Sequence, residues 1–239
     1  MSKYLNAALA SLESYTPGEQ PTDMKYIKLN TNESPYPPSP EVLAAVNEKE
    51  AELLRLYPDP KGSALKQALA GRYKVKKSSI FLANGSDEIL NFAFLAFAAG
   101  GRKVWFPDIS YGFYQVFADL YGISAVKIPL GEDFSVNSRS YCALPDNGGL
   151  ICIANPNAPT GLVLSLAQIE EILKANPDKV VLIDEAYVDF GADSAVKLTE
   201  TYENLLVVQT FSKSRSMAGA RLGFAVASSA LIADLEKIK

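Results

Sequence analysis

Short apolar runs alternate with helix-like patterns along the chain from about residue 79 onward. Runs rich in β-branched and other apolar residues are typical of buried strands, and they are expected at 79–83, 103–106, 123–128, 150–154, 180–184, 205–209 and 222–227. Between them, apolar residues recur at helical spacing at 87–99, 111–120, 165–175 and 229–239. This alternation predicts an α/β fold, with a mostly parallel central sheet and helices on both faces. Ligands of such sheets bind beyond the carboxyl ends of the strands.

The first 40 residues have a different pattern, rich in Pro, Ser, Thr and Asn. The cluster at 32–40 contains four prolines, which is incompatible with a helix or a central strand. We interpret residues 1–40 as an ordered arm that leads to a helix at about 41–54. A turn at 57–62 and a helix at 63–73 are expected to follow.

The absence of histidine excludes more functions than any other feature of the composition. With no histidine among 239 residues, Ser-His-Asp catalysis, Cys-His catalysis and His-containing zinc sites are excluded. Cys142 and Cys152 are the only cysteines in the sequence and are too few for a thiolate metal site, so no metal is expected. Acid–base chemistry would have to use Lys, Tyr, Asp or Glu, or a bound cofactor.

The charge and hydropathy of the chain are those of an ordinary globular protein. The net charge is -4 with 48% hydrophobic residues, and no Lys/Arg run suggests a nucleic-acid partner. The apolar run at 89–99 is too short to span a bilayer, and residues 1–10 lack the pattern of a secretory signal. Because two cysteines fit a reducing compartment better than a disulfide scaffold, we expect a cytoplasmic protein without a membrane partner.

One lysine stands out in the segment 210–223. Lys213 lies between two serines, and Arg221 follows eight positions later. A lysine amine attacks carbonyl groups only when it is deprotonated, and nearby cations or burial favour that form. Arg215 and Arg221 are candidate cations. Taken alone, such a segment is more often a surface lysine in a Ser-rich loop, and only the other motifs favour a reactive amine.

Two further motifs follow predicted strands. Residues 84–88 (Asn-Gly-Ser-Asp-Glu) open a helix, where free backbone N–H groups bind phosphate, although Ser-Asp at this place is also a common helix cap. Asp184 ends a buried strand and is followed by Tyr187, so its carboxylate needs a cationic partner. The alternatives for Asp184 are a helix cap or a magnesium ligand, but no G-x-x-x-x-G-K-[ST] loop precedes it.

Two other strand ends add candidate ligand contacts. The stiff turn at 154–161 contains two X-Pro bonds and can direct an amide side chain over the strand ends. Tyr111 begins a predicted helix, where its ring could stack on a planar ligand or pack into the core.

Together these motifs resemble the fold-type I, pyridoxal-phosphate-dependent aminotransferases of classes I and II. The spacing of three between Asp184 and Tyr187 and of eight between Lys213 and Arg221 matches the pattern of that family. The most similar members are the histidinol-phosphate aminotransferases, and the segments that carry this similarity are 29–36, 57–59, 155–161 and 184–187.

The resemblance implies a role for each of the central residues. Lys213 would hold pyridoxal 5'-phosphate as a Schiff base and shuttle a proton, and Asp184 would pair with the pyridinium nitrogen. Tyr187 would donate to the ring O3′, and Tyr111 would stack on the ring. The phosphate would be held by Gly85, Ser86, Asp87, Thr210, Ser212 and Arg221.

Two contacts in the family pattern are less direct. Tyr57 would reach the phosphate of the neighbouring subunit's cofactor, which implies a homodimer with shared active sites. The family asparagine that contacts O3′ is replaced here by Ala158, and Asn157 is the nearest amide, with Asn155 as a second.

The resemblance further implies the domains and the reaction. Residues 41–239 would form the cofactor-binding large domain, and the small C-terminal domain, whose arginine binds the substrate carboxylate, is expected to be absent. The implied reaction converts histidinol phosphate and 2-oxoglutarate to imidazole acetol phosphate and glutamate, in histidine biosynthesis. The alternatives are an aromatic aminotransferase, a threonine-phosphate decarboxylase, a cofactor-binding fragment without turnover and a doubly wound nucleotide-binding protein.

Overall fold

The computed structural model describes residues 4–6, 9, 12, 19, 23, 24, 26–145 and 148–239. Its centre is a single sheet of seven strands. In chain order these are β1 (Ile80–Ala83), β2 (Lys103–Pro107), β3 (Ser124–Ile128), β4 (Gly149–Ala154), β5 (Val180–Asp184), β6 (Leu205–Thr210) and β7 (Gly223–Ala227). The spatial order is β1-β7-β6-β5-β4-β2-β3. All pairs among β2 to β6 are parallel, whereas β7 runs antiparallel to both β1 and β6. The predicted, mostly parallel α/β fold is confirmed.

Helices cover both faces of this sheet. They are α1 (Pro40–Ala45), α2 (Glu48–Glu52), α3 (Ser63–Tyr73), α4 (Ser86–Phe97), α5 (Phe113–Leu120), α6 (Ser138–Tyr141), α7 (Leu166–Ala175) and α8 (Ser229–Ile238). One hydrophobic cluster joins α4, α5 and α8 to one face of the strands. A second cluster joins α3 and α7 to the other face. Alternate residues of each strand enter different clusters, so both faces of the sheet are buried.

The region before the sheet departs from the sequence prediction. The helix expected at 41–54 is divided into α1 and α2, because the Asn47 side chain accepts from the Glu50 N–H and so begins a new helix. The predicted helix at 111–120 begins later, at Phe113, and the short α6 was not predicted. Within the arm, residues 1–3, 7, 8, 10, 11, 13–18, 20–22 and 25 lie outside the described residues. Among the described residues, no helix combines the length and the apolar character needed to cross a membrane.

The register of the sheet brings the predicted motifs to one edge. Ala154 pairs with Asp184, and Asp184 pairs in turn with Val208 of β6. The carboxyl ends of β4, β5 and β6 therefore lie side by side, with the amino end of α4 nearby across β7 and β1. This edge of the sheet holds the candidate site.

Candidate active site

A cavity of about 130 Å³ lies beyond the carboxyl ends of β4, β5 and β6. Nine of the residues predicted from the sequence line it, together with three alanines. The lining residues are Ser86, Asp87, Tyr111, Ala154, Ala158, Asp184, Ala186, Tyr187, Thr210, Ser212, Lys213 and Arg221. The fold thus brings residues that are more than a hundred positions apart in the sequence together around one polar cavity.

Asp184 forms the buried floor of the cavity. Its residue is 5% exposed, its Oδ2 accepts from the Tyr114 hydroxyl at 2.8 Å, and its Oδ1 accepts from the Ala186 N–H at 3.1 Å. Burial raises the pKa of Asp184 to about 6, against the lowering effect of these two hydrogen bonds. Among the described residues, no cation lies within 4 Å of its carboxylate. Asp184 therefore presents a buried acceptor that suits a cationic ligand group.

Tyr114 was missed by the sequence analysis. It is fully buried on α5, and burial, followed by the Asp184 charge, raises the pKa of its hydroxyl, which stays a donor. A signal was available, because Tyr114 follows Tyr111 by three positions in a predicted helix and so shares its face. The two rings contact edge to face at 5.6 Å.

The amino end of α4 forms the opposite wall. Gly85 precedes α4 and contributes no side-chain cap, so the first N–H groups of this 12-residue helix are open to an anion. The Arg221 Nη2 lies 3.7 Å from the Asp87 Oδ2, and its Nη1 lies 3.5 Å from the Ser212 Oγ. The Asp87 carboxylate also accepts from the Tyr111 hydroxyl at 3.0 Å.

Thr210 and Ser212 complete this anion-binding wall. The Thr210 Oγ1 accepts from the Ser212 N–H at 3.1 Å and lies 3.0 Å from the Ser212 Oγ. Both hydroxyls line the cavity, and the Ser212 Oγ lies 3.5 Å from the Arg221 Nη1. The wall therefore combines open backbone donors, hydroxyl groups and one guanidinium, which is the donor set that a phosphate requires.

Close contact between two glycine backbones shapes this wall. A Cβ on Gly223 would lie 2.4 Å from the Gly85 carbonyl carbon and 2.6 Å from the Ser86 nitrogen. Gly85 itself has a φ of 86°, and a Cβ there would meet the Arg221 guanidinium at 2.6 Å. No sequence motif points to Gly223, because its close contact with Gly85 arises only when β7 pairs with β1.

Gly223→Ala is expected to destabilise the protein by roughly 1–3 kcal/mol, because the new methyl group must displace backbone atoms. The same displacement should weaken the binding of inorganic phosphate at the amino end of α4. Chemical denaturation and phosphate titration measure the two effects. Gly219→Ala is the matched control, since a Cβ on Gly219 meets nothing within 4 Å. Equal stability of the two variants would contradict this packing explanation.

Lys213 and Tyr187 face each other across the cavity mouth. The Lys213 Nζ lies 5.7 Å from the centre of the Tyr187 ring. It donates to the Thr31 carbonyl oxygen at 2.9 Å, and the Asn32 Nδ2 donates to the Tyr187 hydroxyl at 2.9 Å. The arm segment that contains Thr31 and Asn32 thus closes over both side chains. No local sequence signal could have revealed these contacts, which join residues more than 150 positions apart.

Four predicted residues do not line the cavity. Gly85 lies behind the anion-binding wall, as described above. Asn157 is 1% exposed and its amide is engaged locally, with the Ile109 carbonyl at 3.0 Å and the Ser110 hydroxyl at 2.8 Å. The second amide, Asn155, binds the Leu164 backbone in the same way. Tyr57 is fully exposed, outside the cavity.

Arg215 also differs from the expectation that it would act as a cation beside Lys213. Its guanidinium contacts the Thr210 carbonyl oxygen, Gln209 and Tyr73 instead of lining the cavity. Arg221 is the arginine that lines it.

Comparison with known proteins identifies the family. The model of the family described as aminotransferase class I and II matches residues 24–239. The chain belongs to the class I and II aminotransferases. This result removes the alternative of a doubly wound nucleotide-binding protein. The family assignment is also consistent with the residues of the cavity, which include a lysine, a buried carboxylate and an anion-binding wall.

Individual aminotransferases resemble the chain over all or most of its length. It is 56% identical to the histidinol-phosphate aminotransferase of Brachyspira hyodysenteriae over 240 residues, covering 100% of this chain and 67% of that protein. Identity to the histidinol-phosphate aminotransferase of a Marinomonas species is 55%, with the same coverage. The crystal structure of the Sinorhizobium meliloti histidinol-phosphate aminotransferase in complex with pyridoxal-5'-phosphate superposes with a TM-score of 0.81 at 25% identity, covering 87% of this chain and 58% of that one. The chain thus spans about two thirds or less of the length of these relatives.

Proposed function

We propose that this chain is the cofactor-binding part of a histidinol-phosphate aminotransferase. This proposal rests mainly on one observation: the Lys213 amine and the buried Asp184 carboxylate line the same cavity as an anion-binding wall. Pyridoxal phosphate has a matching group for each of these features: an aldehyde for the amine, a ring nitrogen for the carboxylate and a phosphate for the wall. The substrate assignment is supported by the names of relatives more than 50% identical to the whole chain.

The described residues fit pyridoxal phosphate. The Asp184 carboxylate has two neutral hydrogen-bond donors and no ion pair within the described part of the chain, so a protonated ring nitrogen would offset its burial. The phosphate would be held by the first N–H groups of α4 with Ser86, Ser212 and Arg221. Gly85 and Gly223 allow the close backbone approach that forms this wall.

The cofactor, when bound, supplies an electron sink that stabilises negative charge at the Cα of an amino substrate. Asp184 would hold the proton on the ring nitrogen, and the Tyr114 hydroxyl would keep the Asp184 carboxylate in place. Tyr187 would donate to the ring oxygen, and Tyr111 would lie against the ring. The Lys213 Nζ would take the proton from the substrate Cα and return it. Thr210 supports Ser212 in the phosphate wall.

The proposal extends to Asn157 and to the domains. We propose that Asn157 acts on the cofactor indirectly, by holding the loop that presents Ala158 to the cavity. Its amide contacts the Ile109 carbonyl and Thr160. Residues 41–239 would form the cofactor-binding large domain, and residues 1–40 the arm that covers the site.

The proposal also includes a homodimer, in which Tyr57 reaches the phosphate site of the partner subunit. Support comes from exposed apolar side chains next to Tyr57 in the chain, where Leu54 is 85% and Leu56 is 53% exposed. Large exposed apolar patches mark interaction sites. A cytoplasmic location, which belongs to the same proposal, is supported by the free thiols of Cys142 and Cys152.

The test is a substrate profile of the protein with pyridoxal phosphate and 2-oxoglutarate. Histidinol phosphate is expected to give glutamate with a kcat/KM roughly 100-fold or more above that of phenylalanine, because a site built around a substrate's polar group rejects analogues that lack it. Preference for phenylalanine would favour the aromatic enzyme instead. Release of carbon dioxide from threonine phosphate would identify the decarboxylase.

A further inference from the structure

Arg215 lies two positions after Lys213 but on the other side of the loop. Its guanidinium carbon lies 4.9 Å from the centre of the Phe211 ring and 5.4 Å from that of Phe224. Cations are held over aromatic faces in this way. Its side chain is only 25% exposed, although it lies outside the cavity. The function proposed above assigns no task to this residue.

The Arg215 guanidinium binds the strand that precedes Lys213. Its Nη1 donates to the Thr210 carbonyl oxygen at 3.3 Å, and its Nη2 donates to the Gln209 Oε1 at 3.0 Å. The same Nη2 donates to the Tyr73 hydroxyl at 3.1 Å. Since the planar guanidinium has several fixed donors, one side chain joins the end of β6 to the turn that contains Lys213.

Gln209 extends these contacts to the segment that contains Asp184. The Gln209 Nε2 donates at 2.7 Å to the Oε2 of Glu185, which is 1% exposed. The other Glu185 oxygen accepts from the Ala195 N–H at 2.6 Å. Burial raises the pKa of Glu185 to about 7. The residue next to Asp184 and the residue two after Lys213 thus belong to one hydrogen-bonded chain.

Asp189 connects the same turn to the segment that contains Tyr187. The Arg215 Nη2 lies 3.4 Å from the Asp189 Oδ2, which also accepts from the Ser214 hydroxyl. Asp189 is in the short helical turn Val188–Phe190, directly after Tyr187. The segments that contain Asp184, Tyr187 and Lys213 are therefore all connected to Arg215, the first of them through Gln209.

We propose that Arg215 is a positioning residue, which holds the turn around Lys213 so that the Lys213 Nζ faces the Asp184 carboxylate across the cavity. The inference deepens the proposed function and rests on it. Lys213 has a long flexible side chain between two serines. Within the described residues, its backbone makes one hydrogen bond, in which its carbonyl oxygen accepts from the Ser216 N–H at 3.0 Å. Without Arg215 the turn loses these side-chain contacts to β6, and of its two contacts with Asp189 only the one from the Ser214 hydroxyl remains.

The test separates positioning of Lys213 from formation of the phosphate wall. In Arg215→Met, which keeps much of the packing against Phe211 and Phe224, the rate at which pyridoxal phosphate is trapped on Lys213 by borohydride should fall roughly tenfold or more. Binding of pyridoxine 5'-phosphate, which has no aldehyde, should stay within about twofold of wild type, because α4 and Arg221 are unchanged. Mass spectrometry and fluorescence titration provide the two measurements.

Two further variants complete the design. Arg72→Met is the matched control, since Arg72 is exposed and its guanidinium lies 5.9 Å from the Tyr73 ring centre. It should leave the trapping rate unchanged. Arg215→Lys keeps the positive charge but not the planar guanidinium, so its trapping rate should lie between those of Arg215→Met and wild type. It replaces the Met variant in the test if Arg215→Met fails to fold. Amide hydrogen exchange of residues 211–217, without cofactor, should be faster in Arg215→Met than in Arg72→Met.

The outcomes are distinguishable. If Arg215→Met loses trapping and pyridoxine 5'-phosphate binding equally, Arg215 has a general structural role and the positioning role is overturned. The positioning role is also overturned if trapping and amide exchange in Arg215→Met equal those of wild type. If wild-type protein traps no cofactor on Lys213, the proposed function fails. In that case unchanged exchange of residues 211–217 in Arg215→Met would also overturn the role of Arg215, and faster exchange would support it.

Discussion

Replacing Lys213 with alanine is expected to abolish covalent attachment of pyridoxal phosphate and to lower transamination by roughly 10⁴-fold or more. The variant loses both the nucleophilic amine and the group that moves the Cα proton, and acid–base catalysis alone typically contributes up to about 10⁴-fold. The measurement is the mass gained by the 210–223 segment after incubation with cofactor and reduction with borohydride. Turnover with histidinol phosphate and 2-oxoglutarate is measured in parallel.

Lys237→Ala is the control for this experiment. Lys237 is 74% exposed on α8, where it pairs with Asp234, so its loss should change neither attachment nor turnover. A cofactor adduct that persists in Lys213→Ala would place the reactive amine elsewhere and would remove the central element of the proposed function.

Asp184→Asn is the second substitution with a large expected effect. An amide cannot hold the ring nitrogen of the cofactor as a cation, so turnover should fall by roughly 10²-fold or more. The shape of the side chain is nearly unchanged, and the Tyr114 hydroxyl still finds an acceptor. Asp119→Asn on α5 is the control, because Asp119 is exposed and accepts only from the Gln115 amide among the contacts described.

The same substitution should stabilise the cofactor-free protein as the pH rises. The pKa of Asp184 is raised from 3.8 to about 6 in the folded state. Between these values the unfolded chain is ionised while the folded protein keeps the proton, so unfolding releases a proton and rising pH favours it. The penalty is absent below pH 3.8 and complete above about pH 6, where it is on the order of 3 kcal/mol.

Denaturant titrations across this pH range measure the effect. The stability of Asp184→Asn minus that of wild type should increase between about pH 4 and pH 6 and then level off. Glu185 is present in both proteins, so its own titration largely cancels from the difference. A difference that does not change with pH would show that Asp184 is not held in a desolvating environment.

Much of the fold was predictable because its strands are buried on both faces. Runs such as Ile80–Ala83 and Gly223–Ala227 are almost wholly apolar, and this pattern separates them clearly from the amphipathic helices between the strands. The antiparallel direction of β7 was not predicted, because an apolar run carries no information about strand direction. The division of the helix expected at 41–54 was also missed, since it depends on the cap that the Asn47 side chain forms with the Glu50 N–H.

The candidate site was predictable where short spacings carry its chemistry. The spacing of three from Asp184 to Tyr187 and of eight from Lys213 to Arg221 lies within single short segments of the chain, so it can be read directly from the sequence. The expected amide contact from Asn157 had no such spacing behind it. In the structure this amide binds the Ile109 carbonyl and the Ser110 hydroxyl instead.

By itself the sequence determined the α/β class, the family and nine of the residues that line the cavity, because apolar periodicity and motif spacing are local properties of the chain. Only the tertiary structure decided which partners these residues have. Tyr114 beneath Asp184, Thr31 beside Lys213 and Gly223 against Gly85 are contacts between distant segments. Such contacts arise from the order and register of the strands, which no local pattern encodes. The same is true of Arg215, which the sequence places beside Lys213 and the fold turns to the opposite side of the loop.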